Sequence, residues 1–161
     1  MAVRDIVRFG DPVLRTPADP VREFGPRLAA LVADLEQTVG APGRAGLAAP
    51  QIGVGLRVFA YDVDGVRGHL VNPRVVSATG LQEDLEGCLS LPGLWFPTPR
   101  PEQVTVEGTT VDGHPVTVTG HGLLARCLVH ETDHLDGLLF VDRLGPDDRR
   151  AAMRALREQA A

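Results

Sequence analysis

Residues 122–135 read GLLARCLVHETDHL. This segment is the starting point for predicting the fold and the candidate site. We predict a helix over Gly122–Leu135 that ends before Gly137, because glycine commonly follows the last residue of a helix. The second half of this helix carries His130, Glu131 and His134 in the pattern H-E-x-x-H. A helix with this pattern is a candidate metal-binding element.

The spacing of the two histidines suits a single metal ion. At 100° per residue, His130 and His134 lie about 40° apart around the helix and one turn apart along it. Two imidazoles on adjacent turns can bind one ion. Glu131 falls at the edge of the same arc, where a carboxylate can accept a proton from an attacking water molecule. The alternative is a pair of surface histidines on a charged helix.

A catalytic site of this kind normally has three protein ligands and one open position. A longer form of the H-E-x-x-H motif has a third histidine at the position that is Phe140 here. The only glutamate after Glu131 is Glu158, close to the C-terminus. The sequence downstream of the helix therefore offers no third ligand, and cysteine remains.

Of the two cysteines, Cys88 is the better candidate. Cys127 and His134 are separated by about 10.5 Å of helix rise, whereas metal–ligand bonds measure about 2.0–2.3 Å. Cys127 and His134 cannot both reach one ion, so Cys127 is interpreted as a small buried residue. Cys88 lies at a predicted strand end beside a glycine and can approach from another element. A thiolate and two imidazoles would leave room for water.

The flanking sequence predicts two further helices and a series of strands. Residues 1–24 are expected to form an extended arm. One helix follows Pro26 and stops near Gly40, and a final helix begins at Pro146 and runs to about Gln159. The predicted strands are 56–63, 68–71, 74–77, 85–90, 103–111, 114–119 and 138–141, of which 103–111 and 114–119 form a hairpin that turns at Asp112-Gly113.

This order predicts an α+β fold. Mostly antiparallel sheets would pack around the central metal-binding helix, with one helix near each terminus. A length of 161 residues predicts one domain spanning residues 1–161, since about 150 residues per domain is usual.

Composition excludes several classes of protein. A net charge of -5 argues against a general nucleic-acid binder, so no DNA partner is expected. The chain has neither an apolar signal-peptide core nor a run long enough to span a bilayer, so we expect a cytoplasmic protein without a membrane partner. All 16 basic residues are arginine, which suggests a GC-rich bacterial genome.

Three ordered segments of the chain resemble the peptide deformylase family. They are Gly46-Leu47-Ala48-Ala49-Pro50-Gln51, Glu86-Gly87-Cys88-Leu89-Ser90 and His130-Glu131-Thr132-Asp133-His134. H-E-x-x-H alone is common to many metallopeptidases, whereas the three segments in this order are highly specific. The resemblance extends from the N-terminal arm to the final helix. It implies a hydrolase that removes the N-formyl group from the first methionine of newly made proteins.

The resemblance also implies roles for residues of the site. Cys88, His130 and His134 would bind one divalent metal ion, expected to be Fe²⁺, with Zn²⁺, Ni²⁺ or Co²⁺ as substitutes. Glu131 would be the general base. The formyl oxygen would be stabilised by the side-chain amide of Gln51 and the backbone N–H of Leu89.

The formyl-methionyl peptide would bind as an added strand. Its expected contacts are Ala45, Gly46 and Gly87, with Leu123 and Cys127 in the methionine pocket. Glu86 would pair with Arg100 beside the ligands, unless both are solvated surface charges. The chain departs from the family pattern at Arg44 and Val129, where the family usually has glycine and glutamine.

The final helix carries Arg150, Arg154 and Arg157 on one stripe. The stripe would contact ribosomal RNA, as in some family members, or would be an ordinary solvated helix face. Two other functions remain open. One is a metallopeptidase that cleaves internal peptide bonds, which would not need Cys88 or Gln51. The other is a non-enzymatic, ribosome-associated protein.

Overall fold

The computed structural model describes residues 2–160. Its three α-helices are α1 (Pro26–Val39), α2 (Gly122–Leu135) and α3 (Pro146–Ala160). Proline begins α1 and α3, where its missing N–H costs no helical hydrogen bond. All three helices lie where the sequence predicts them. None of the helices in the described range is long and apolar enough to cross a membrane.

The seven strands form two antiparallel sheets. A five-stranded sheet has the order β1-β2-β3-β6-β7, and β4 and β5 form a separate two-stranded ribbon. The strands are β1 (Gly46–Ala48), β2 (Val58–Val63), β3 (Val66–Thr79), β4 (Gln82–Cys88), β5 (Leu91–Arg100), β6 (Gln103–Thr109) and β7 (Pro115–His121). The predicted hairpin between β6 and β7 is confirmed, with Gly113 in the turn at a φ of 81°.

Strand β2 lies between two helices, so both of its faces are buried. Phe59 contributes to a core cluster with Leu128 and Leu135 of α2. Val58, one residue away, belongs instead to a cluster with Leu35 of α1. Since side chains alternate across a strand, α1 and α2 pack on opposite faces of the sheet. Helix α3 belongs to a third core cluster that includes residues of β5. The α+β fold around a central helix is confirmed.

Two predicted strands, 68–71 and 74–77, are one continuous strand. The chain passes through Asn72 at a positive φ of 51°, and the register with β6 shifts between Val71 and Arg74. The Asn72 side chain stabilises this bulge, since its Oδ1 accepts from Val21 N and its Nδ2 donates to Val21 O. Asparagine tolerates positive φ better than most residues. The Asn-Pro pair therefore bends a strand without ending it.

The predicted strand 138–141 is wrong. Residues Phe140–Arg143 form a 3₁₀ turn. Asp142 explains the difference, because its side chain accepts from Leu139 N at 2.9 Å while its own N–H donates to Leu139 O. These local bonds satisfy backbone groups that a strand would need to pair with a neighbour. Phe140 and Val141 are apolar because they are buried beside α3, not because they belong to a sheet.

The N-terminal arm is irregular and contains a turn at Phe9-Gly10 and one 3₁₀ turn, Pro12–Arg15, whose first residues are capped by Asp11. The arm is tied to the rest of the molecule at Asp19, which forms a parallel bridge with Leu56. Strand β5 was not expected from the sequence, and the predicted strand 85–90 begins earlier and ends at Cys88.

Candidate metal centre

The three predicted metal ligands meet at one point. One ligand atom each from Cys88, His130 and His134 lies within 4.8 Å of the others. Cys88 Sγ and His134 Nε2 are 3.3 Å apart. A thiolate and two imidazoles are ligands suited to several divalent transition metals, and the atoms are close enough to share one ion. The side chains present therefore fit a metal ion.

The hairpin between β4 and β5 places Cys88. Cys88 is the last residue of β4 and pairs with Leu91, so only Leu89 and Ser90 form the turn. The turn is held from outside by the N-terminal arm, where Phe9 N donates to Ser90 O at 2.9 Å. Leu89, the predicted backbone donor, follows the thiol directly in this turn. Cys127 lies elsewhere, with its Sγ 3.5 Å from Ala45 O, and burial raises the pKa of its thiol.

Glu131 is a buried carboxyl beside the ligands. Its Oε2 is 3.9 Å from His130 Nε2, and its Oε1 has no hydrogen-bond partner among residues 2–160. Burial raises the pKa of Glu131 to about 7. The backbone of β1 lies against it, since a methyl group added to Gly46 would be 2.6 Å from Glu131 Oε2. A carboxyl with such a pKa can both accept and release a proton near neutral pH.

Gln51 is held in one orientation. Its Oε1 accepts from Ala48 N at 2.9 Å, which directs Nε2 toward the hairpin. Nε2 lies 3.2 Å from Ser90 Oγ and 3.6 Å from Cys88 Sγ. Only 1% of Gln51 is exposed, so the amide is fixed by its surroundings. The predicted donor therefore points at the ligand cluster.

Glu86 contacts the ring of His130 and two arginines. Its Oε2 lies 2.6 Å from His130 Nδ1 and accepts from Arg100 NH2 at 2.6 Å. Its Oε1 accepts from Arg100 Nε at 3.0 Å and from Arg126 NH1 at 2.7 Å. Although burial opposes it, the hydrogen bonds from His130 and Arg100 lower the pKa of Glu86. The ionised Glu86 and Arg100 are both buried, so the alternative of solvated surface charges is wrong.

The hydrogen-bond network extends beyond the residues selected from the sequence and reaches the surface at Arg143. Arg100 NH1 also donates to Asp133 Oδ2 at 2.8 Å, and Arg143 donates to both oxygens of Asp133. Arg126, Asp133 and Arg143 were not singled out as site residues. A signal for Arg126 was present in the sequence, because a charged residue four positions before His130 lies on the same helix face. No comparable spacing pointed to Arg143, because its contact with Asp133 depends on the tertiary fold.

The ligand cluster opens into a cavity of about 290 Å³. All five predicted substrate-binding residues line this cavity: Ala45, Gly46, Gly87, Leu123 and Cys127. Gln51, Cys88, Leu89, His130 and Glu131 line it too. The structure thus brings the predicted substrate pocket and the predicted catalytic groups into one space.

The departure from the family pattern at Arg44 has a structural role. Arg44 NH1 donates to Thr38 O at 2.9 Å, so it satisfies a carbonyl near the end of α1. Arg44 also lines the cavity. Val129, the second departure, packs against the core formed by α2 and the five-stranded sheet.

Comparison with known proteins gives a consistent result over almost the whole chain. The sequence pattern of the family described as "Polypeptide deformylase" matches residues 3–150. A peptide deformylase of Acidothermus cellulolyticus is 59% identical over 159 residues, which cover 98% of this chain and 88% of the relative. Peptide deformylase 1 of Corynebacterium glutamicum is 47% identical over 165 residues, covering 99% of this chain and 98% of the relative.

Solved structures agree in fold. The crystal structure of a peptide deformylase from Legionella pneumophila has a TM-score of 0.91 at 44% identity, covering 99% of this chain and 96% of that one. A peptide deformylase from Synechococcus elongatus, crystallised in complex with actinonin, has a TM-score of 0.88 at 36% identity. That match covers 98% of this chain and 88% of the other.

Proposed function

This chain belongs to the peptide deformylase family and hydrolyses the N-formyl group from the first methionine of newly made proteins; we propose that Cys88, His130 and His134 are its metal ligands. The observation that carries the assignment is the convergence of these three ligand atoms beside the buried carboxyl of Glu131. The family is metal-dependent, and we propose Fe²⁺ as the ion, with Zn²⁺, Ni²⁺ or Co²⁺ as substitutes. When bound, the ion supplies Lewis acidity toward the water and the formyl oxygen.

Glu131 carries the proton from the water to the leaving amine. Its carboxylate accepts a proton from the attacking water as the new C–O bond forms at the formyl carbon. The same proton then passes to the amine of methionine as the C–N bond breaks, so the products are formate and a free N-terminus. The pKa of about 7 supports both steps, since a general base works best when its pKa is near the working pH.

Gln51 and Leu89 stabilise the charge that develops on the formyl oxygen. Preorganised donors are effective here because they need no rearrangement during the reaction. The Ala48–Gln51 bond supports this role, as it fixes the amide before substrate arrives. The tight turn after Cys88 supports the role of Leu89, which directly follows the thiol ligand in that turn.

The peptide is proposed to bind between two free strand edges. Strand β1 is the outer strand of the five-stranded sheet, and β4 has only β5 as a partner. Each edge can pair with a peptide backbone, which reads no side chain and so suits many protein N-termini. Gly46 and Gly87 are the contact points on the two edges. The methionine side chain enters the cavity beside Leu123 and Cys127.

We propose that the whole chain, residues 1–161, acts as one catalytic domain in the cytoplasm, where nascent chains emerge. Arg150, Arg154 and Arg157 of α3 are all exposed, and they line one groove on the surface. Such a groove suits the phosphate backbone of ribosomal RNA, so α3 is proposed to dock the enzyme near emerging nascent chains.

The experiment that tests the function is formate release from a formyl-Met peptide after anaerobic purification, with metal analysis of the same sample. We expect stoichiometric release of formate with about one metal ion per chain. A sample that holds the metal and leaves the formyl peptide intact would overturn the assignment. Cleavage of an internal bond in a blocked peptide would indicate the metallopeptidase alternative instead.

A further inference from the structure

Arg126 is a buried cation on the metal-binding helix that the proposed reaction does not use. It lies four residues before His130, one turn away on the same face of α2, and only 4% of it is exposed. Arginine is almost never buried this deeply without partners. The contacts of Arg126 therefore indicate what it does.

The Arg126 guanidinium joins three elements. NH1 donates to Glu86 Oε1 of β4 at 2.7 Å and to Thr98 O of β5 at 2.9 Å. NH2 donates to Gln82 Oε1 at 3.3 Å, at the start of β4. Arg126 thus fixes the position of the β4–β5 ribbon relative to the helix that carries both histidines.

The two carboxylate oxygens of Glu86 have different hydrogen-bond partners. Oε2 holds His130 Nδ1, and Oε1 receives the guanidinium of Arg126. Arg100 contacts both oxygens, but it also donates to Asp133 and is shared between two carboxylates. The only carboxylate that Arg126 contacts within residues 2–160 is Glu86. Without Arg126, the only guanidinium contacting Glu86 within residues 2–160 would be that of Arg100, which Asp133 shares.

We infer that Arg126 is a positioning residue for the metal centre, acting through Glu86 on His130. By holding Oε1, it keeps Oε2 against the Nδ1–H of His130. That hydrogen bond selects the tautomer whose Nε2 carries the free lone pair, as partners behind a metal-binding histidine generally do. The inference rests on the proposed ligand role of His130.

The test is cobalt binding by Arg126→Met, which keeps an apolar stem but removes the charge and the donors. We expect an affinity about 10–100-fold weaker than in the parent, the usual effect of losing a partner behind a metal ligand. The visible cobalt spectrum should change as well, because the geometry at His130 changes. Arg143→Met is the control: it removes a more exposed guanidinium at the edge of the same network, one that contacts Asp133 and not Glu86.

Two further variants separate positioning from simple loss of structure. Arg126→Lys keeps one cationic donor and should bind cobalt with an affinity between those of the parent and Arg126→Met. In a Glu86→Gln background, Arg126→Met should weaken binding little further, since its effect passes through Glu86. If Arg126→Met and Glu86→Gln weaken binding additively, or if Arg126→Met and Arg143→Met behave alike, the inference is wrong.

Cobalt binding by the parent protein tests the proposed ligand set independently of the role of Arg126. A thiolate-to-cobalt absorption band in the parent that is lost in His130→Ala supports the ligands, and the Arg126 variants then test the inference by itself. If the parent shows no such band, the ligand set fails and the inference falls with it. A normal band and an unchanged affinity in Arg126→Met would overturn the inference alone.

Discussion

At the scale of single residues, several side chains of the site are held at one atom and direct another atom toward the ligand cluster. Gln51 is held at Oε1 and presents Nε2, and His130 is held at Nδ1 and presents Nε2. Glu131 has an unpartnered Oε1 within the described chain. Groups fixed in this way need little rearrangement when substrate binds, which favours reaction.

Replacing each cysteine by serine tests which thiol binds the metal. Cys88→Ser is expected to lose the metal, because Cys88 Sγ lies 3.3 Å from His134 Nε2. Cys127→Ser is expected to keep it, because its Sγ faces Ala45 O. The measurement is metal content per chain after anaerobic purification. Loss of metal from Cys127→Ser with retention in Cys88→Ser would reverse the assignment.

Replacing Glu131 by glutamine tests the general base. The change keeps size and shape but removes the ability to accept a proton, so metal content should match the parent. Deformylation should fall by about 10²–10⁴-fold, the usual contribution of general acid–base catalysis. The readout is kcat for formate release together with metal analysis. Activity within a few-fold of the parent would exclude Glu131 as the base.

Gly46→Ala tests how closely β1 must approach the helix. The added methyl would lie 2.6 Å from Glu131 Oε2 and 2.7 Å from Cys127 Sγ, so either the strand or the base must shift. A displacement of about 1 Å at a reacting group can cost about 10²-fold in rate, and we expect a loss of that order with the metal retained. Gly55→Ala is the control, since nothing lies within 4 Å of its added methyl. Equal activity of the two variants would contradict the close-approach explanation.

The three proposed ligands could be selected from the sequence because simple helix geometry limits the choice. Helix periodicity brings His130 and His134 together, and helix length excludes Cys127. The Arg126–Glu86 contact could not be predicted in the same way, because the two residues belong to different elements. Its existence depends on how the β4–β5 ribbon packs on α2, which no sequence spacing encodes.

At the scale of elements, α1 was predictable from apolar residues that recur at helical spacing, and α3 from Pro146 at its first position. Strand β5 was not, because Pro92, Pro97 and Pro99 argue against a strand. In a two-stranded ribbon each strand has a free edge, and alternate residues point their N–H groups away from the partner. Pro97 and Pro99 are two residues apart, so both can occupy such positions.

The ribosome contact proposed for helix α3 can be tested separately. Neutralising Arg150, Arg154 and Arg157 to glutamine should reduce ribosome co-sedimentation at low salt, because phosphate contacts weaken as charge is lost. Activity on a free formyl-peptide should not change, as none of the three lines the substrate cavity. The control neutralises three arginines elsewhere, Arg8, Arg22 and Arg27, which gives the same net charge. Equal co-sedimentation of the two triple variants would leave α3 as an ordinary solvated helix.

At the scale of the whole molecule, the proposed ligands connect two separate sheets of the fold. Cys88 belongs to the β4–β5 ribbon, while His130 and His134 belong to the helix packed on the five-stranded sheet. The N-terminal arm also meets this ribbon, through Phe9 and Ser90. A bound ion would therefore link the ribbon, the helix and, indirectly, the arm. Metal binding should be coupled to the stability of the entire fold.

This coupling predicts that the melting temperature rises when metal is added to the metal-free protein. An ion at about 100 times its Kd adds about 2.7 kcal/mol to the free energy of unfolding, provided that it binds only the folded chain. For a protein of this size, about 1 kcal/mol corresponds to roughly 2–4 °C, so the rise should be about 5–10 °C. Differential scanning calorimetry with cobalt titrated into chelator-treated protein measures it. Cys88→Ser is the control and should show little or no shift. A similar rise in Cys88→Ser would mean that cobalt stabilises the protein from another site.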